Sequence, residues 1–492
     1  HCTAMAPKLL LVAALANAWQ LNRVKTPKKL HATTEPELSP LVTSLKPSAT
    51  IEVHALTLQM KAAGETVVSL CVGEPDFAPQ KEILEAIGEA AMKGVTRYTE
   101  VTGTGELRTA IARDLRERKH VEYDPGEIVV ANGAKQAVYE ALMALCGPGD
   151  DVVLPAPYWV SYPSMVDMCG ATYTTVSTSI DDGFALTPEQ LQDALKPNTK
   201  ALILCNPSNP TGCLVSEAQQ RALLQVLDDH EAKTGKKVWV VADEIYEQLN
   251  YGTPHQAFAA LGPSAWARTV TINGFSKAYA MTGFRLGYLA APLSVAKACA
   301  KIQGQITSCA SSLAQAAGVA ALKLPPNALD DDIAEFRRRR DLVLELLKKA
   351  SRNGRVAAPP PPEGAFYVFC DVAPCLDLSV DGERVGTSTN FSKLLLKKRR
   401  LALVPGDAFG APTGIRLSYA ASEEDLRPAR AAPPAPRSRL PTHGGSRSPP
   451  RRNPSSPARA PSRCSWRKIR NTSKPPSTSS RWKNGCGARK KR

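Results

Sequence analysis

The residues best suited to chemistry lie in the stretch Thr271–Tyr288, which reads TINGFSKAYAMTGFRLGY. Lys277 follows a short apolar run and precedes a glycine-rich segment, where a strand is expected to end. A lysine amine in that position can form a Schiff base with a carbonyl cofactor. Ser276 supplies a hydroxyl donor and Arg285 a fixed cation, which are the groups that bind a phosphate. An isolated Ser-Lys pair is more often a surface feature, so only the whole string favours a site.

A second candidate follows the apolar run Val238–Ala242. Asp243 ends that run, and a carboxylate at the end of a buried strand is costly unless it is paired. The pyridine nitrogen of a cofactor is one partner, and an N-cap role at a helix start is the alternative. Tyr246 and Asn209 are placed to donate hydrogen bonds to a ring oxygen. For Asn209, a plain proline-rich turn over 206–212 is the alternative.

Further candidates are a helix start, a tryptophan and an arginine. Gly133, Ala134 and Lys135 lie between an apolar strand and a helix, where free backbone N–H groups bind phosphate, although most such turns are only turns. Trp159 offers a flat face for stacking on a ring, but tryptophan is more often a core residue. Arg416 is a charge inside an apolar strand pattern. Its partner is either a substrate carboxylate or an internal acidic residue.

The elements that must position these residues alternate between short apolar runs and helical segments. This alternation predicts an α/β fold with a mostly parallel sheet that is covered by helices on both faces. Active-site residues are then expected at the carboxyl ends of the strands. The predicted strands are Ile128–Val130, Asp151–Leu154, Lys200–Cys205, Lys237–Ala242, Thr269–Ile272 and Arg285–Leu289.

A smaller α+β lobe is predicted after the sheet. The spacing indicates a long helix over Asp330–Ala350, with Arg337–Arg340 on its exposed side. Strands are expected in 364–371, 401–404 and 414–419. Ser422–Leu426 has the composition of a helix start, with an N-cap serine followed by acidic residues.

Six strings closely resemble the class I aminotransferases, which are fold-type I enzymes dependent on pyridoxal phosphate. The resemblance is to their 1β subgroup, which holds bacterial aspartate aminotransferases and plastid bifunctional aspartate/prephenate aminotransferases. It covers about Leu38 to Leu426 and implies a large domain with a seven-stranded sheet and a smaller domain. The strings are GEPDF (73–77), APYWVSY (156–162), SNPTG (208–212), DEIY (243–246), NGFSKAYAMTG (273–283) and VPGDAFG (404–410).

The resemblance also implies a role for each matching residue. Lys277 is the lysine that binds the cofactor and then moves a proton, and Asp243, Tyr246 and Asn209 hold the ring. Tyr98 reaches the phosphate in the partner subunit, which implies a homodimer. The expected phosphate-binding residues are Gly133, Ala134, Lys135, Ser276 and Arg285, and the expected substrate contacts are Gly73, Trp159, Asn209 and Arg416.

Two positions bear on the substrate in this resemblance. The string Ser44–Thr50 matches the arm of the prephenate-active members, in which the threonine matching Thr50 is tied to prephenate use. Lys135 matches the lysine that meets the second carboxylate of the substrate. The expected reaction is therefore transamination between aspartate or glutamate and a 2-oxo acid, namely 2-oxoglutarate, oxaloacetate or prephenate. Another aminotransferase specificity, a C–S lyase or a regulator that binds the cofactor without turnover are the alternatives.

The charge of the chain argues against a nucleic-acid partner. The net charge is +16, but residues 427–492 carry 19 Lys and Arg and no Asp or Glu, which leaves 16 − 19 = −3 for residues 1–426. No basic surface is therefore expected on the folded part. No apolar run approaches the roughly 20 residues that a membrane span needs, so no membrane partner is expected. The cysteines show no metal-binding spacing, and no metal is expected.

Both ends of the chain differ in composition from its centre. Residues 1–37 read as a signal segment followed by a basic, transit-like segment, which predicts a plastid protein, with secretion or a cytoplasmic location as alternatives. Residues 427–492 are rich in Pro, Arg and Ser and cannot bury a core, so they are a basic arm or an artefact of the gene sequence. The predicted units are the leader (1–37), an arm with part of the small domain (38–84), the large domain (85–325), the small domain (326–426) and the tail (427–492).

Overall fold

Helices and strands alternate through the residues that the computed structural model describes, which are 37–45, 49–351 and 359–427. The strands are β1 (Val68–Ser69), β2 (Ile128–Ala131), β3 (Asp151–Ala156), β4 (Thr172–Ser177), β5 (Thr199–Cys205), β6 (Trp239–Asp243), β7 (Thr269–Gly274), β8 (Gly287–Ala290), β9 (Tyr367–Asp371), β10 (Ser379–Val380), β11 (Glu383–Arg384), β12 (Leu401–Ala402), β13 (Val404–Pro405) and β14 (Gly414–Ser418). The helices are α1 (Pro40–Ser44), α2 (Ala49–Ala62), α3 (Lys81–Met92), α4 (Gly105–Lys119), α5 (Ala134–Leu145), α6 (Tyr162–Met168), α7 (Pro188–Ala194), α8 (Glu217–Thr234), α9 (Pro263–Arg268), α10 (Leu293–Ile306), α11 (Ser312–Ala321), α12 (Asp330–Ala350), α13 (Ser388–Arg399) and α14 (Glu423–Leu426).

The largest sheet has seven strands in the order β2-β8-β7-β6-β5-β3-β4. All of its strands are parallel except β8, which pairs antiparallel with both β2 and β7. The expected α/β fold with a mostly parallel sheet is thus confirmed. Every predicted strand of this sheet is present, but the edge strand β4 was not predicted. Its sequence is TYTTVS and its residues are exposed or half-buried, so it lacks the apolar run that marked the others.

Both faces of this sheet are buried, as a parallel sheet requires. Alternate residues of a strand point to opposite faces. Val152 and Ile203 pack in a cluster with α5 and α10, whereas Val153 and Leu202 pack in another with α7 and α8. This arrangement explains why the runs Val152–Ala156 of β3 and Ala201–Cys205 of β5 are continuously apolar rather than alternating.

A three-stranded antiparallel sheet, β13-β14-β9, lies beyond the large sheet in the sequence. Helix α12 has the predicted bounds, but the predicted exposure of Arg337–Arg340 is wrong for Arg339 and Arg340, whose side chains are 10% and 11% exposed. Arg339 is buried, since its guanidinium bridges Asp76 and Glu335 at 2.6 Å each. The charge is thereby paired, which makes burial tolerable.

Several predictions fall outside the described residues. They are the leader, the basic tail and Lys46–Ser48, which is the middle of the string that contains Thr50. The boundaries proposed at 84/85 and 325/326 remain predictions. Within the described ranges, none of the helices has the length and apolar character to cross a membrane.

Candidate active site

A cavity of about 290 Å³ opens where the parallel strands of the large sheet end. The segments that follow β2, β3, β5, β6 and β7 each bring a predicted residue to this edge, as expected for an open α/β sheet. All the predicted site residues except Gly133 and Tyr98 line the cavity. Those that do are Thr50, Gly73, Ala134, Lys135, Trp159, Asn209, Asp243, Tyr246, Ser276, Lys277, Arg285 and Arg416.

The amine of Lys277 points into this cavity. Its Nζ donates a 2.7 Å hydrogen bond to the carbonyl oxygen of Gly73. Burial lowers the pKa of Lys277 to about 8; the carboxylate of Glu74 opposes this shift, while Arg416 and Arg285 add to it. A substantial fraction of the amine is therefore neutral near neutral pH, which is the form that attacks a carbonyl.

Asp243 lies at the end of β6 with its carboxyl group buried. The phenolic O–H of Tyr162 donates a 2.6 Å hydrogen bond to its Oδ2. Burial raises the pKa of Asp243 to about 6, although the hydrogen bonds from Tyr162 and from the backbone of Ile245 favour the charged form. The carboxylate is thus set to pair with a positively charged ligand atom. Sequence reasoning missed Tyr162, even though it ends the string 156–162.

Two tyrosines form a buried pair beside the lysine. The hydroxyls of Tyr246 and Tyr367 lie 2.8 Å apart. A Cβ added to Gly73 would overlap the hydroxyl of Tyr367, so this close approach requires glycine. Tyr367 was not predicted as a site residue because nothing in its local sequence distinguishes it from an ordinary core aromatic.

One corner of the cavity has the features of an anion site. Helix α5 starts at Ala134, and the first N–H groups of a helix have no partner within it. Gly133, the N-cap, has φ 83°, and a Cβ there would lie 2.5 Å from Nη2 of Arg285. Ser276 lines the same cavity. The strand predicted to begin at Arg285 in fact begins at Gly287, because Arg285 is a left-handed residue with φ 53°.

Arg416, in the central strand β14, also lines the cavity. It is 2% exposed; its Nη1 donates to Oδ1 of Asn209 at 3.0 Å and its Nη2 to the carbonyl of Cys71 at 2.6 Å. Its Nε is buried without a partner. Within the described ranges, no carboxylate lies within ion-pairing distance of this guanidinium, so the internal ion pair that was the alternative does not form there. A ligand carboxylate would supply the missing charge.

Thr50, Lys135 and Trp159 also line the cavity. The hydroxyl oxygen of Thr50 is buried and has no hydrogen-bond partner. Nζ of Lys135 lies 5.1 Å from the ring centroid of Trp159, and burial, together with Arg285, lowers the pKa of Lys135. These groups leave both a hydroxyl and a cation available to a ligand.

Comparison with known proteins identifies the family. Residues 65–432 match the family model for aminotransferases of class I and II. The chain belongs to this family. Its relatives include the bifunctional aspartate aminotransferase and glutamate/aspartate-prephenate aminotransferase of Petunia hybrida, 43% identical over 80% of this chain and 81% of the relative. The aspartate/prephenate aminotransferase of Cereibacter sphaeroides is 41% identical over 80% and 96% of the two chains.

Solved structures give the same assignment of fold. The aspartate aminotransferase of Rhizobium meliloti is similar to this aminotransferase with a TM-score of 0.74 and 39% identity, over 80% of this chain and 96% of the other. The Thermus thermophilus aspartate aminotransferase with maleate has a TM-score of 0.72 and 37% identity, over 80% and 97%. The fold is therefore the fold-type I architecture that the sequence motifs predicted.

The family implies use of pyridoxal phosphate, and the cavity of this aminotransferase fits that cofactor. An amine, a buried carboxyl group and an anion corner surround one space, which are the partners for its carbonyl carbon, ring nitrogen and phosphate. The glycine at 133 keeps the anion corner open, since a Cβ there would press on Arg285. The described residues contain no cluster of side chains that could hold a metal ion.

Tyr98 lies apart from this cavity. Its side chain is 90% exposed, in the loop between α3 and α4. The structure thus does not bring it to the other site residues of the same chain, and its role at a partner's site stays a prediction. Besides Tyr367, six residues that the sequence did not assign to the site line the cavity, namely Ile51, Val160, Ser161, Cys205, Ile245 and Thr282.

Proposed function

We propose that this aminotransferase uses pyridoxal phosphate to move an amino group between aspartate or glutamate and a 2-oxo acid, and that prephenate is one of its acceptors. The observation that carries the proposal is a single cavity that is lined by Lys277, Asp243 and Arg416. It thus brings together an amine, a carboxyl group and a guanidinium whose Nε has no hydrogen-bond partner. The names of the Petunia and Cereibacter relatives, which include aspartate and prephenate, support the choice of substrates.

The residues that would hold the cofactor line this cavity, apart from Gly133. The carboxylate of Asp243 would pair with the ring nitrogen, Tyr246 and Asn209 would donate to the ring oxygen, and Trp159 would supply a flat face for the ring. The phosphate is bound by the hydroxyl of Ser276, the guanidinium of Arg285 and the helix start at Gly133, Ala134 and Lys135. When bound, pyridoxal phosphate supplies an electron sink that acidifies the α-hydrogen of an amino acid.

Lys277 has two roles in the proposed reaction. Its neutral amine binds the cofactor covalently, for which the lowered pKa is an advantage. Once the amino group of the substrate has displaced it, the free Nζ would accept the proton from the α-carbon of the donor, and in the reverse half-reaction it would give a proton to the α-carbon derived from the acceptor, as a general base and acid. The hydrogen bond to the carbonyl of Gly73 holds Nζ beside the substrate space.

Substrate recognition is assigned to five residues that line the cavity, namely Thr50, Gly73, Lys135, Asn209 and Arg416. Arg416 binds the α-carboxylate in a bidentate pair, with Asn209 and Gly73 beside it. Lys135 binds the second carboxylate of aspartate or prephenate. The free hydroxyl of Thr50 donates to prephenate, which is larger than aspartate and extends toward α2.

The specificity is tested by measuring transamination of prephenate, with aspartate or glutamate as donor, beside the aspartate/2-oxoglutarate reaction. Activity on both pairs is expected. Thr50→Ala should lower kcat/KM for prephenate by about tenfold, the effect of one lost hydrogen bond, and leave the aspartate/2-oxoglutarate reaction nearly unchanged. Thr50→Ser, which keeps the hydroxyl, is the matched control. Activity of the unaltered protein on aspartate alone would remove the roles given to Thr50 and to prephenate.

A homodimer is proposed, with Tyr98 donating to the phosphate in the partner subunit. The exposure of Tyr98, together with the exposed apolar side chains of Val95 and Val101 in the same loop, favours this arrangement. Subunits carrying Tyr98→Ala or Lys277→Ala should each be inactive or weak, while mixed dimers regain activity at the one site in which both residues are intact. If Tyr98 acted within its own subunit, or not at all, mixing would restore nothing.

Import into a plastid is proposed for the leader at residues 1–37. A fluorescent fusion of this leader is expected to enter plastids, and a fusion that starts at Leu38 is expected to remain in the cytoplasm. Equal distribution of the two fusions would contradict the assignment.

A further inference from the structure

A buried lysine lies behind the segment that carries Asp243 and Tyr246. Lys119 ends α4 and is 6% exposed; its Nζ donates to Oε2 of Glu244 at 2.9 Å and lies 3.6 Å from Oε1 of Glu247. The three residues do not line the active-site cavity. A buried ionic cluster does not by itself show that the cluster stabilises the fold, since apolar residues of similar volume often give equal stability. Lys119 contacts Glu244 and Glu247, which lie in the same segment as Asp243 and Tyr246, so the cluster can influence how that segment is held.

This cluster contacts both strands that deliver the proposed catalytic residues. Glu244 and Glu247 follow β6, and Oε1 of Glu247 also accepts a 3.5 Å hydrogen bond from Nδ2 of Asn273 in β7, four residues before Lys277. The guanidinium of Arg118 donates to Glu247 at 3.1 Å. The cluster therefore fixes the positions of two neighbouring strand ends relative to helix α4.

The charges of the cluster act on Asp243. Three carboxyl groups, those of Asp243, Glu244 and Glu247, occur within five residues. Burial is the main cause of the raised pKa of Asp243, and the negative charge of Glu244 raises it further. Burial opposes ionisation of Glu247 too, but the charges of Lys119 and Arg118 lower its pKa to about 2. Without Lys119, the buried carboxylate of Glu244, next to Asp243 in the chain, would lose its ion-pair partner.

We propose that Lys119 is a positioning residue for the cofactor, which keeps Asp243 ionised and directed at the ring nitrogen by neutralising Glu244 and Glu247. The inference rests on the proposed use of pyridoxal phosphate. The other charged or titratable groups that interact with these carboxyl groups and with Lys119 come from several elements and stay in place when Lys119 is replaced. They are Arg118, Tyr123, Tyr162, Cys205, His255, Lys277, Tyr279 and Tyr288, and Asp114 acts through its ion pair with Arg118.

The test is a titration of the full chain, freed of cofactor, with pyridoxal phosphate at several pH values, followed by absorbance. Lys119→Met is expected to raise the pKa of Asp243 by about one unit, which should raise the Kd by about tenfold well below pH 6 and by about twofold near pH 7. The midpoint of affinity against pH should move upward, because Asp243 then needs a higher pH to ionise. Lys323→Met is the matched control, since Lys323 forms an exposed 3.1 Å ion pair with Glu106 and should bind as the unaltered protein does.

Two further variants separate charge from simple support of the fold. Lys119→Met combined with Glu244→Gln removes both charges of the pair and should bring the Kd and the midpoint back toward those of the unaltered protein. Glu244→Gln alone removes a charge that disfavours ionisation of Asp243. Lys119 can still pair with Glu247 in this variant. Its affinity for pyridoxal phosphate should therefore be no weaker than that of the unaltered protein, and the midpoint of affinity against pH should be no higher. Glu244→Gln also keeps the test decisive if Lys119→Met does not fold.

The inference is overturned if Lys119→Met binds as tightly as the unaltered protein, if the double variant is as weak as Lys119→Met, or if Glu244→Gln weakens binding. Failure of the unaltered protein to bind pyridoxal phosphate at all would instead contradict the proposed function, so the two failures are distinguishable.

Discussion

The phenolic oxygen of Tyr162 lies 2.6 Å from Oδ2 of Asp243 and donates its hydrogen to that carboxylate. The two residues start α6 and end β6, so the contact joins two elements that are 81 residues apart in sequence. Since both side chains are buried, this hydrogen bond is a main source of stabilisation for the negative charge that a cofactor ring nitrogen needs. Predictions about the site follow from this contact and from others like it.

Tyr162→Phe removes that donor without changing the size of the ring. The pKa of Asp243, already about 6 because of burial, should rise further, so a larger fraction is protonated and cannot pair with the ring nitrogen. We expect the Kd for pyridoxal phosphate to increase by about tenfold well below pH 6, the effect of one hydrogen bond to a charged group, and by only about twofold near pH 7, where about half of Asp243 stays ionised. A titration at several pH values measures this, and an affinity that does not change with pH would contradict it.

The amine of Lys277 should titrate well below an ordinary lysine. In the protein without cofactor, its reaction with an amine-directed reagent is expected to rise with pH around a midpoint of about 8, because burial disfavours the ammonium form. Glu74→Gln removes a charge that favours the ammonium, so the midpoint should move to lower pH. Mass spectrometry of the labelled Lys277 peptide reports both values. A midpoint near 10 in the unaltered protein, or an upward shift in Glu74→Gln, would show that the amine is not in a desolvated site.

Arg416→Lys keeps the charge but loses the planar pair of donors. We expect kcat/KM for aspartate to fall by about a hundredfold, or about 2–3 kcal/mol, because an ammonium does not replace the bidentate contact with the α-carboxylate. Affinity for pyridoxal phosphate alone should stay within about twofold, since Arg416 is assigned to the substrate and not to the cofactor. Equal losses for cofactor and substrate would contradict that assignment.

Gly73→Ala tests the packing around Lys277. The new Cβ would overlap the hydroxyl of Tyr367, which must move and give up its hydrogen bond with Tyr246. Both residues lie in the core of the site, so we expect a loss of about 1–3 kcal/mol in the free energy of unfolding together with a loss of activity. Gly88→Ala, in the middle of α3 with open space around it, is the matched control and should stabilise the protein by about 0.5–1 kcal/mol. Denaturant unfolding monitors both, and equal effects would contradict the steric argument.

The large sheet could be read from the sequence because its strands are buried on both faces. Runs such as Ala201–Leu204 have no polar residue, whereas β4, at the edge, has four hydroxyl residues of the Thr and Ser type among its six and was missed. The start of β8 was placed two residues early because Arg285 adjoins an apolar run, and nothing in the sequence marks its left-handed backbone. Local patterns therefore reveal burial well and backbone conformation poorly.

Most of the candidate site could be predicted because its residues follow strand ends in recognisable strings. Tyr162 and Tyr367 could not be assigned, since each acts through a partner that is distant in sequence. The same reason applies to Arg339. A run of four arginines predicts a solvated face, but the structure pairs Arg339 with the distant residue Asp76. The partner of a buried charge is a property of the three-dimensional structure, and only the need for one can be inferred from the sequence.

The central claim is tested most directly by assaying aspartate and 2-oxoglutarate transamination with the unaltered protein and with Lys277→Ala, while recording the absorbance of bound pyridoxal phosphate. Lys323→Met serves as the control for loss of an unrelated lysine. We predict that the unaltered protein and the control form oxaloacetate and glutamate, and that Lys277→Ala loses both this activity and the absorbance of the covalently bound cofactor. Full turnover by Lys277→Ala would contradict the account.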